Sequence, residues 1–569
     1  MMPAGEVQLI DDHADPVVTD PVATGPTEAH AGCDGVDVDG PTARVVRAHR
    51  DLRPEARARR FRRGLLILGL VVFGISSLLA GGHSYAIDNE VQFQTTRSLV
   101  NLRADLADVD EGWAAKPYGP YRRVEGVGMV AIVPIGQSLL SVPFYAAGRA
   151  GGQLLEADER EQFVRTSTFF TNSLLLALTA VVVALIAREL LDRPGAALLL
   201  GYVYALGTYA LGNAQTYLTE IGTSLFVALA CWLAIRAWTR DGLLLPLACG
   251  LSIGMAFMVR PSAGLFLPVL GGCLAVTVWV RRRFVDALAA GASFSVGALV
   301  MVGINALFAW WRFGDPTDLG YQNVYQDHPL LSGLTGQVWS LGKGVLWYAP
   351  IVLLCAVGAV LLARRRTPEV VVLVAVAAAN TVFYARVPFW PGDNSWGPRY
   401  TLIVLPVVVP LAIGVLRWTW GLRAIQVAGV VGLLLVGVPG TLVNFNVVYI
   451  EANRELGAGT EAEALRNQWA WQPIRRHLQM LPDAVMDSVG SDEPGEVQRP
   501  EYTHNSDDDY AFYGVEPRLD VWWAWIGPTG ASGLTWAWFA PAVLSLALAT
   551  GLWVGGRDRR GSEPNSGRC

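Results

Sequence analysis

Charged residues are scarce in this sequence, making up 16% of its 569 positions against 52% hydrophobic residues. With a positive mean hydropathy, that balance excludes an ordinary soluble protein of this length. Cysteine is scarce too. Cys231, Cys249, Cys273 and Cys355 fall in apolar runs and Cys33 and Cys569 in polar tails, so neither a disulfide framework nor a metal spacing forms. Seven histidines lie scattered, and Asp507-Asp508-Asp509 lacks the ligand spacing of a calcium loop. No broad basic field exists for a nucleic acid, because the net charge is −5 and its signs are segregated. Acids gather in the amino-terminal tail and one late loop, while arginine clusters punctuate the apolar runs.

What remains is a series of long hydrophobic stretches. On a criterion of roughly 20 residues per crossing, spans are expected near 64–82, 166–187, 195–213, 217–238, 243–259, 262–280, 286–311, 342–363, 368–386, 399–416, 424–443 and 533–555. The fold class is thus an all-α integral membrane bundle of about twelve helices. Cytoplasmic loops collect arginine. With the amino terminus inside, Arg44–Arg63, Arg188 with Arg193, Arg236 with Arg240, Arg281–Arg283, Arg364–Arg366, Arg417 with Arg423, and Arg557–Arg560 all fall inside, which favours an even number of spans. Residues 1–63 form a polar, disordered cytoplasmic tail, and 556–569 a second cytoplasmic tail. Segments 83–165, 312–341, 387–398 and 444–532 lie outside. The apolar stretch 127–148 is interrupted by Pro134, Gly136 and Pro143, and is assigned to an interfacial or re-entrant segment.

The first outer segment carries Asp88-Asn89-Glu90, followed by Val91, Thr95, Leu99, Leu102 and Leu106 at helical spacing. Two roles fit the acids. Asp88 as N-cap and Glu90 in the first turn would stabilise a helix start. Alternatively, carboxylates beside a cavity at the membrane surface can take a proton from a hydroxyl nucleophile. Side chains two apart share a face in an extended segment and diverge in a helix, so both acids reach one cavity only from a turn. His83 is the histidine nearest to them.

Other charges sit at span ends. Arg260, before Pro261, is either a phosphate clamp or a snorkelling or paired arginine. Arg399, after a Trp-Gly-Pro turn, leaves the same choice. Lys343, Arg122 and Arg123 are loop charges or anion contacts. Glu220, with Tyr217 and Thr219, either faces a cavity or pairs with Arg260. Trp347, Trp390, Trp396, Tyr400, Trp522, Trp523 and Trp525 suit interfacial anchoring, with sugar stacking as the alternative and Trp396 and Tyr400 the two assigned to a substrate.

Asp88-Asn89-Glu90, Pro134-Ile135-Gly136-Gln137-Ser138-Leu139-Leu140 with Pro143-Phe144-Tyr145, Arg260-Pro261 and Trp396-Gly397-Pro398-Arg399-Tyr400 resemble, in their order, the GT-C superfamily of polytopic glycosyltransferases. The likeness is to bacterial members related to protein mannosyltransferases and the lipid A aminoarabinose transferase. It implies an inverting enzyme of the plasma membrane that moves a sugar from a polyprenyl phosphate to an extracytoplasmic glycan, lipid or protein. It also implies Asp88 as base and Glu90 as second acid, although the adjacent Asp-Glu pair of several relatives is here Asp-x-Glu. Arg260, Arg399 and Lys343 would hold the donor phosphate, and Glu220, Trp396, Tyr400, Arg122 and Arg123 the substrates. No cofactor is assigned, and a divalent metal is left open. The rival class is a multi-span transporter or lipid flippase, but midplane polar groups and related halves are not visible in the sequence. A catalytically idle assembly factor is a third reading.

Overall fold

The structure is a computed structural model that describes residues 54–84, 87–106, 120–155, 157–320, 327–392, 395–443, 468–490, 519–523 and 539–561. The chain divides into two compact units, Met1–Arg57 and Ala58–Cys569, and the second holds the helical bundle. The molecule is a membrane protein built from helices, with one two-stranded hairpin among the described residues.

The helices that position the site are α1 (Pro54–Leu78), α2 (Ile87–Val100), α3 (Ile135–Gly152), α4 (Ala157–Leu190), α5 (Pro194–Leu206), α6 (Glu220–Ala237), α7 (Leu244–Val259), α8 (Phe266–Arg281), α9 (Phe284–Phe313), α10 (Ile351–Ala363), α11 (Thr367–Ala385), α12 (Gly421–Gly432), α13 (Pro473–Gly490) and α14 (Ala540–Gly561). Seven stretches among the described residues are long and apolar enough to cross a bilayer: Glu55–Leu78, Arg160–Leu190, Glu220–Ala237, Pro261–Arg281, Phe284–Phe313, Thr367–Ala385 and Gly421–Leu442. Five shorter apolar helices, Pro194–Leu206, Leu244–Val259, Ile351–Ala363, Leu405–Arg417 and Ala540–Trp553, lie where the remaining spans are expected. The first helix starts at Pro54, ahead of the expected Gly64. Its proline opens the helix, and the arginines after it are good helix formers, so the basic stretch continues the helix instead of ending it.

Buried and lipid-facing surfaces divide the bundle. Helices α4 and α6 form its interior, where Leu176, Val183, Ile186, Ile221, Val227 and Cys231 are fully buried. By contrast α8 and α9 expose Val276, Val280, Leu299 and Leu307, as expected of helices facing hydrocarbon. The 127–148 stretch is absent from the candidate spans. It consists of strand β2 (Gly128–Ala131), paired antiparallel with β1 (Tyr121–Val124), followed by α3. Helix α3 packs against α2 and α4 through buried Gln137, Ser138, Ser141 and Tyr145.

Candidate active site

Two turns bring the central charges together. Pro261 ends α7 and opens a 3-10 turn, and the residue before a proline is pushed towards extended geometry. Arg260 accordingly adopts φ −152°, ψ 114°. Its surroundings come from the Pro134-Ile135-Gly136-Gln137 stretch. A Cβ on Gly136 would lie 2.5 Å from the Val259 nitrogen, so only glycine lets α3 approach this closely. The next residue, Gln137, donates to Asn172 Oδ1 at 2.7 Å, and Asn172 Nδ2 donates to the Thr216 and Leu218 carbonyls at 2.5 and 3.1 Å. That chain of amides fixes the turn leading into Glu220, the first residue of α6, where a negative charge meets the positive helix end.

Arg399 arrives from the second turn. Gly397 sits at φ 73° in the left-handed region, with a Cβ position only 2.9 Å from the Tyr348 ring. Trp396 Nε1 donates to the Val436 carbonyl at 3.2 Å, Asn213 donates to the Trp396 carbonyl at 2.8 Å, and Asn380 to the Tyr400 carbonyl at 3.0 Å. Lys343 completes the turn. Its amine donates to the Ser395 carbonyl at 2.6 Å, Ser395 Oγ at 3.3 Å and the Gly397 carbonyl at 3.4 Å.

These turns place both guanidiniums on one carboxylate oxygen. Arg260 Nη1 donates to Glu220 Oε1 at 2.8 Å and to Thr219 Oγ1 at 3.0 Å, and its Nε donates to the Tyr384 hydroxyl at 2.9 Å. Arg399 Nε lies 3.1 Å from the same Glu220 oxygen in a close ion pair without hydrogen-bond alignment. Glu220 is 1% exposed, and its Oε2 accepts no hydrogen bond from the described residues. Tyr384 and Tyr400 stack at 4.3 Å beneath the arginines, with the Arg260 and Arg399 guanidinium carbons 5.0 and 5.1 Å from the Tyr400 ring centre. Arg260 Nη2 and the Arg399 Nη atoms have no hydrogen-bond acceptor among the described residues. Half-buried Asp88 lies within electrostatic reach of Arg399.

The acids part company. Because α2 begins at Ile87, Asp88 and Glu90 both lie in its first turn, about 200° apart around the helix. Glu90 faces Arg165, which donates to both carboxylate oxygens, while Ser84 Oγ donates at 2.8 Å and Gln94 Nε2 at 2.9 Å. Burial pushes the Glu90 carboxyl up, but the Arg165 charge and these donors outweigh it and hold it below the usual carboxylate range. Expected as a second acid of the site, Glu90 is instead spent on an ion pair.

Several other expected residues are also placed elsewhere. Lys343 is 7% exposed and spent on the 395–397 turn, so it is neither a solvated loop charge nor an open phosphate ligand. Trp396 is 1% exposed and stacks on His477 at 4.4 Å, which rules out both sugar stacking and interfacial anchoring for it. Trp390 and Trp522 are likewise buried, whereas Trp347 and Trp523 are partly exposed. Arg122 pairs with Asp318 and lies 4.1 Å over the Phe313 ring, and Arg123 is exposed on β1. His83 binds Asp520 at 2.7 Å. Asp507-Asp508-Asp509, Trp525 and most of 444–532 lie outside the described residues.

Three contributors carry no distinctive signal in the sequence. Arg165 lies just before the expected start of its span, where a charge looks like a boundary marker. Tyr384, near the end of another span, looks like an interfacial aromatic. Asp520 lies in a late segment without a recognisable motif.

The helical core also matches known proteins. Residues 162–308 match the family model described as dolichyl-phosphate-mannose-protein mannosyltransferase. That segment includes Glu220 and Arg260 but not Asp88 or Arg399. By this match the chain resembles the GT-C type of membrane glycosyltransferase. No curated protein sequence matches the chain. Among solved structures, ArnT from Cupriavidus metallidurans bound to undecaprenyl phosphate aligns with 80% of this chain and 87% of its own, at 15% identity and a TM-score of 0.42. Its apo form aligns with 75% and 70%, at 16% identity and a TM-score of 0.41.

Proposed function

We propose that this protein is an inverting glycosyltransferase that moves a sugar from a polyprenyl phosphate to an acceptor hydroxyl on the extracytoplasmic side of the plasma membrane. The observation that carries the proposal is the pair of guanidiniums, Arg260 and Arg399, held on one Glu220 oxygen with N–H donors unspent. Guanidinium forks with free donors suit the oxygens of a phosphate. The match over 162–308 supports the reaction class.

In the proposed reaction Asp88 takes the proton of the acceptor hydroxyl, and the hydroxyl oxygen attacks the anomeric carbon. The carbon–phosphate oxygen bond breaks on the opposite side. Its electron pair leaves on the polyprenyl phosphate, and the proton stays on Asp88. The leaving group departs as an anion and needs no acid, so the protein's task there is to stabilise growing negative charge. Arg260 and Arg399 do this in a partly dry site, where each charge–charge contact is stronger than in water. Tyr384 and Thr219 hold the Arg260 fork in place, and the stacked tyrosines form its floor. Glu90 serves indirectly by anchoring the helix that carries Asp88.

The test uses purified protein in lipid with candidate polyprenyl-phosphate sugars and acceptors, reading the release of free polyprenyl phosphate. Sugar transfer by the native protein and its loss in Asp88→Asn is the expected result. Full turnover by Asp88→Asn would remove Asp88 as base, and movement of lipid across vesicles without transfer would favour the transporter class.

A further inference from the structure

Helices α1 and α14 touch at one level and part at another. A Cβ on Gly74 would lie 2.8 Å from Leu546 Cγ and 3.2 Å from the Ala542 carbonyl, so the helices are in close contact there. Towards the amino end of α1 the contact is lost, and a Cβ on Gly551 would meet nothing within 4 Å. The wedge between them is a groove of about 770 Å³. Arg59, Arg62 and Arg63 line one end, and Leu66, Leu548 and Leu552 line its length.

The arginines belong to this side of α1 by helical spacing, since positions three and four apart share a face. Another side of the helix is already packed. Gly64 meets Leu198 of α5, Gly69 meets Val181 of α4, and Phe61 is buried beneath the Arg188 guanidinium at 4.2 Å. Arg63 Nε is buried and has no hydrogen-bond partner among the described residues. A buried donor of that kind is costly unless an acceptor reaches it.

An apolar wall that ends in a group of guanidiniums is the complement of an amphiphile with an anionic head. We propose that the groove binds one anionic phospholipid of the surrounding bilayer. Its phosphate rests on Arg59, Arg62 and Arg63, and an acyl chain runs along Leu66, Leu548 and Leu552. Charge complementarity selects the occupant: a zwitterionic lipid brings no net charge to three guanidiniums, and free phosphate leaves the apolar wall uncovered. The site stands apart from the Glu220 cluster and does not depend on the proposed sugar transfer.

The full chain, delipidated in mild detergent, would be titrated with phosphatidylglycerol or phosphatidylcholine and the retained lipids counted by native mass spectrometry. One phosphatidylglycerol should be held more tightly than further copies and than phosphatidylcholine. Replacing the three arginines by glutamine should weaken that copy by on the order of tenfold or more. Gly551→Leu, which fills the open groove and leaves every charge in place, should weaken it too. Thermal midpoints would check that both variants fold, and the Gly551 variant stands alone if the triple variant does not. Equal retention of phosphatidylcholine, unchanged retention in either folded variant, or displacement of the lipid by equimolar inorganic phosphate would each overturn the proposal.

Discussion

Glu90 with Arg165 and Glu220 with Arg260 and Arg399 are two buried acid–arginine groups built on opposite plans. Around Glu90 both carboxylate oxygens accept hydrogen bonds, and its partner Arg165 also reaches a second carboxylate, Glu161, at 3.4 Å. Around Glu220 two guanidiniums crowd one oxygen, and among the described residues the other oxygen accepts nothing and arginine donors are left over. Both groups bear the cost of taking charge out of water. Only the first recovers it fully inside the protein. The difference separates an ion pair that holds a helix from one that leaves donors open, as the proposed phosphate site requires.

The largest effect that would break this contrast is on stability. Glu90→Gln leaves the largely buried Arg165 with half-exposed Glu161 as its carboxylate partner, which should cost about 2 kcal/mol in thermal or denaturant unfolding. The folded fraction should keep near-normal turnover, and a variant of normal stability with lost turnover would return Glu90 to the chemistry. Next, Arg260→Lys should lower kcat/KM for the lipid-linked donor by roughly tenfold, because one ammonium cannot replace a fork that spans Tyr384, Thr219 and Glu220. Unchanged donor kinetics would make that arginine purely structural.

The smallest effects are those of pH. Glu90 has a depressed folded value, so its contribution is complete above the unfolded glutamate value of about 4.3 and is lost as pH falls through the lower folded value. For His83 the sign reverses. Burial pushes its imidazole down, but the Asp520 charge and hydrogen bond more than reverse this, so the folded value lies above the ordinary one. Its contribution is present below about 6.5 and is lost as pH rises through the folded value. Thermal midpoints of native protein and His83→Gln, measured from pH 5 to 9, should converge at the alkaline end. A constant gap across that range would deny the His83–Asp520 pair this role.

The helical architecture was legible because hydropathy and arginine placement act over whole segments. Arg260-Pro261 and the Trp-Gly-Pro-Arg turn were legible as well, since proline and glycine restrict the backbone where they stand. Partner choice was not. Nothing local distinguishes Glu90 from Asp88 until the helix start is known to within one residue, and a start at Ile87 turns them to opposite sides. The same limit applies to Lys343, whose three acceptors come from positions 395 and 397. A buried lysine and a solvated one look identical in a string of letters.

The divided allegiance of Glu220 Oε1 also bears on release. An anion that settles between Arg260 and Arg399 must compete with a carboxylate that never leaves. When the anion departs, that carboxylate is already in place to neutralise the two cations, so the vacated site is not left with bare buried charge. In the proposed reaction such a built-in competitor would weaken the hold on the departing lipid phosphate and quicken its exit, setting a ceiling on affinity in exchange for repeated cycles.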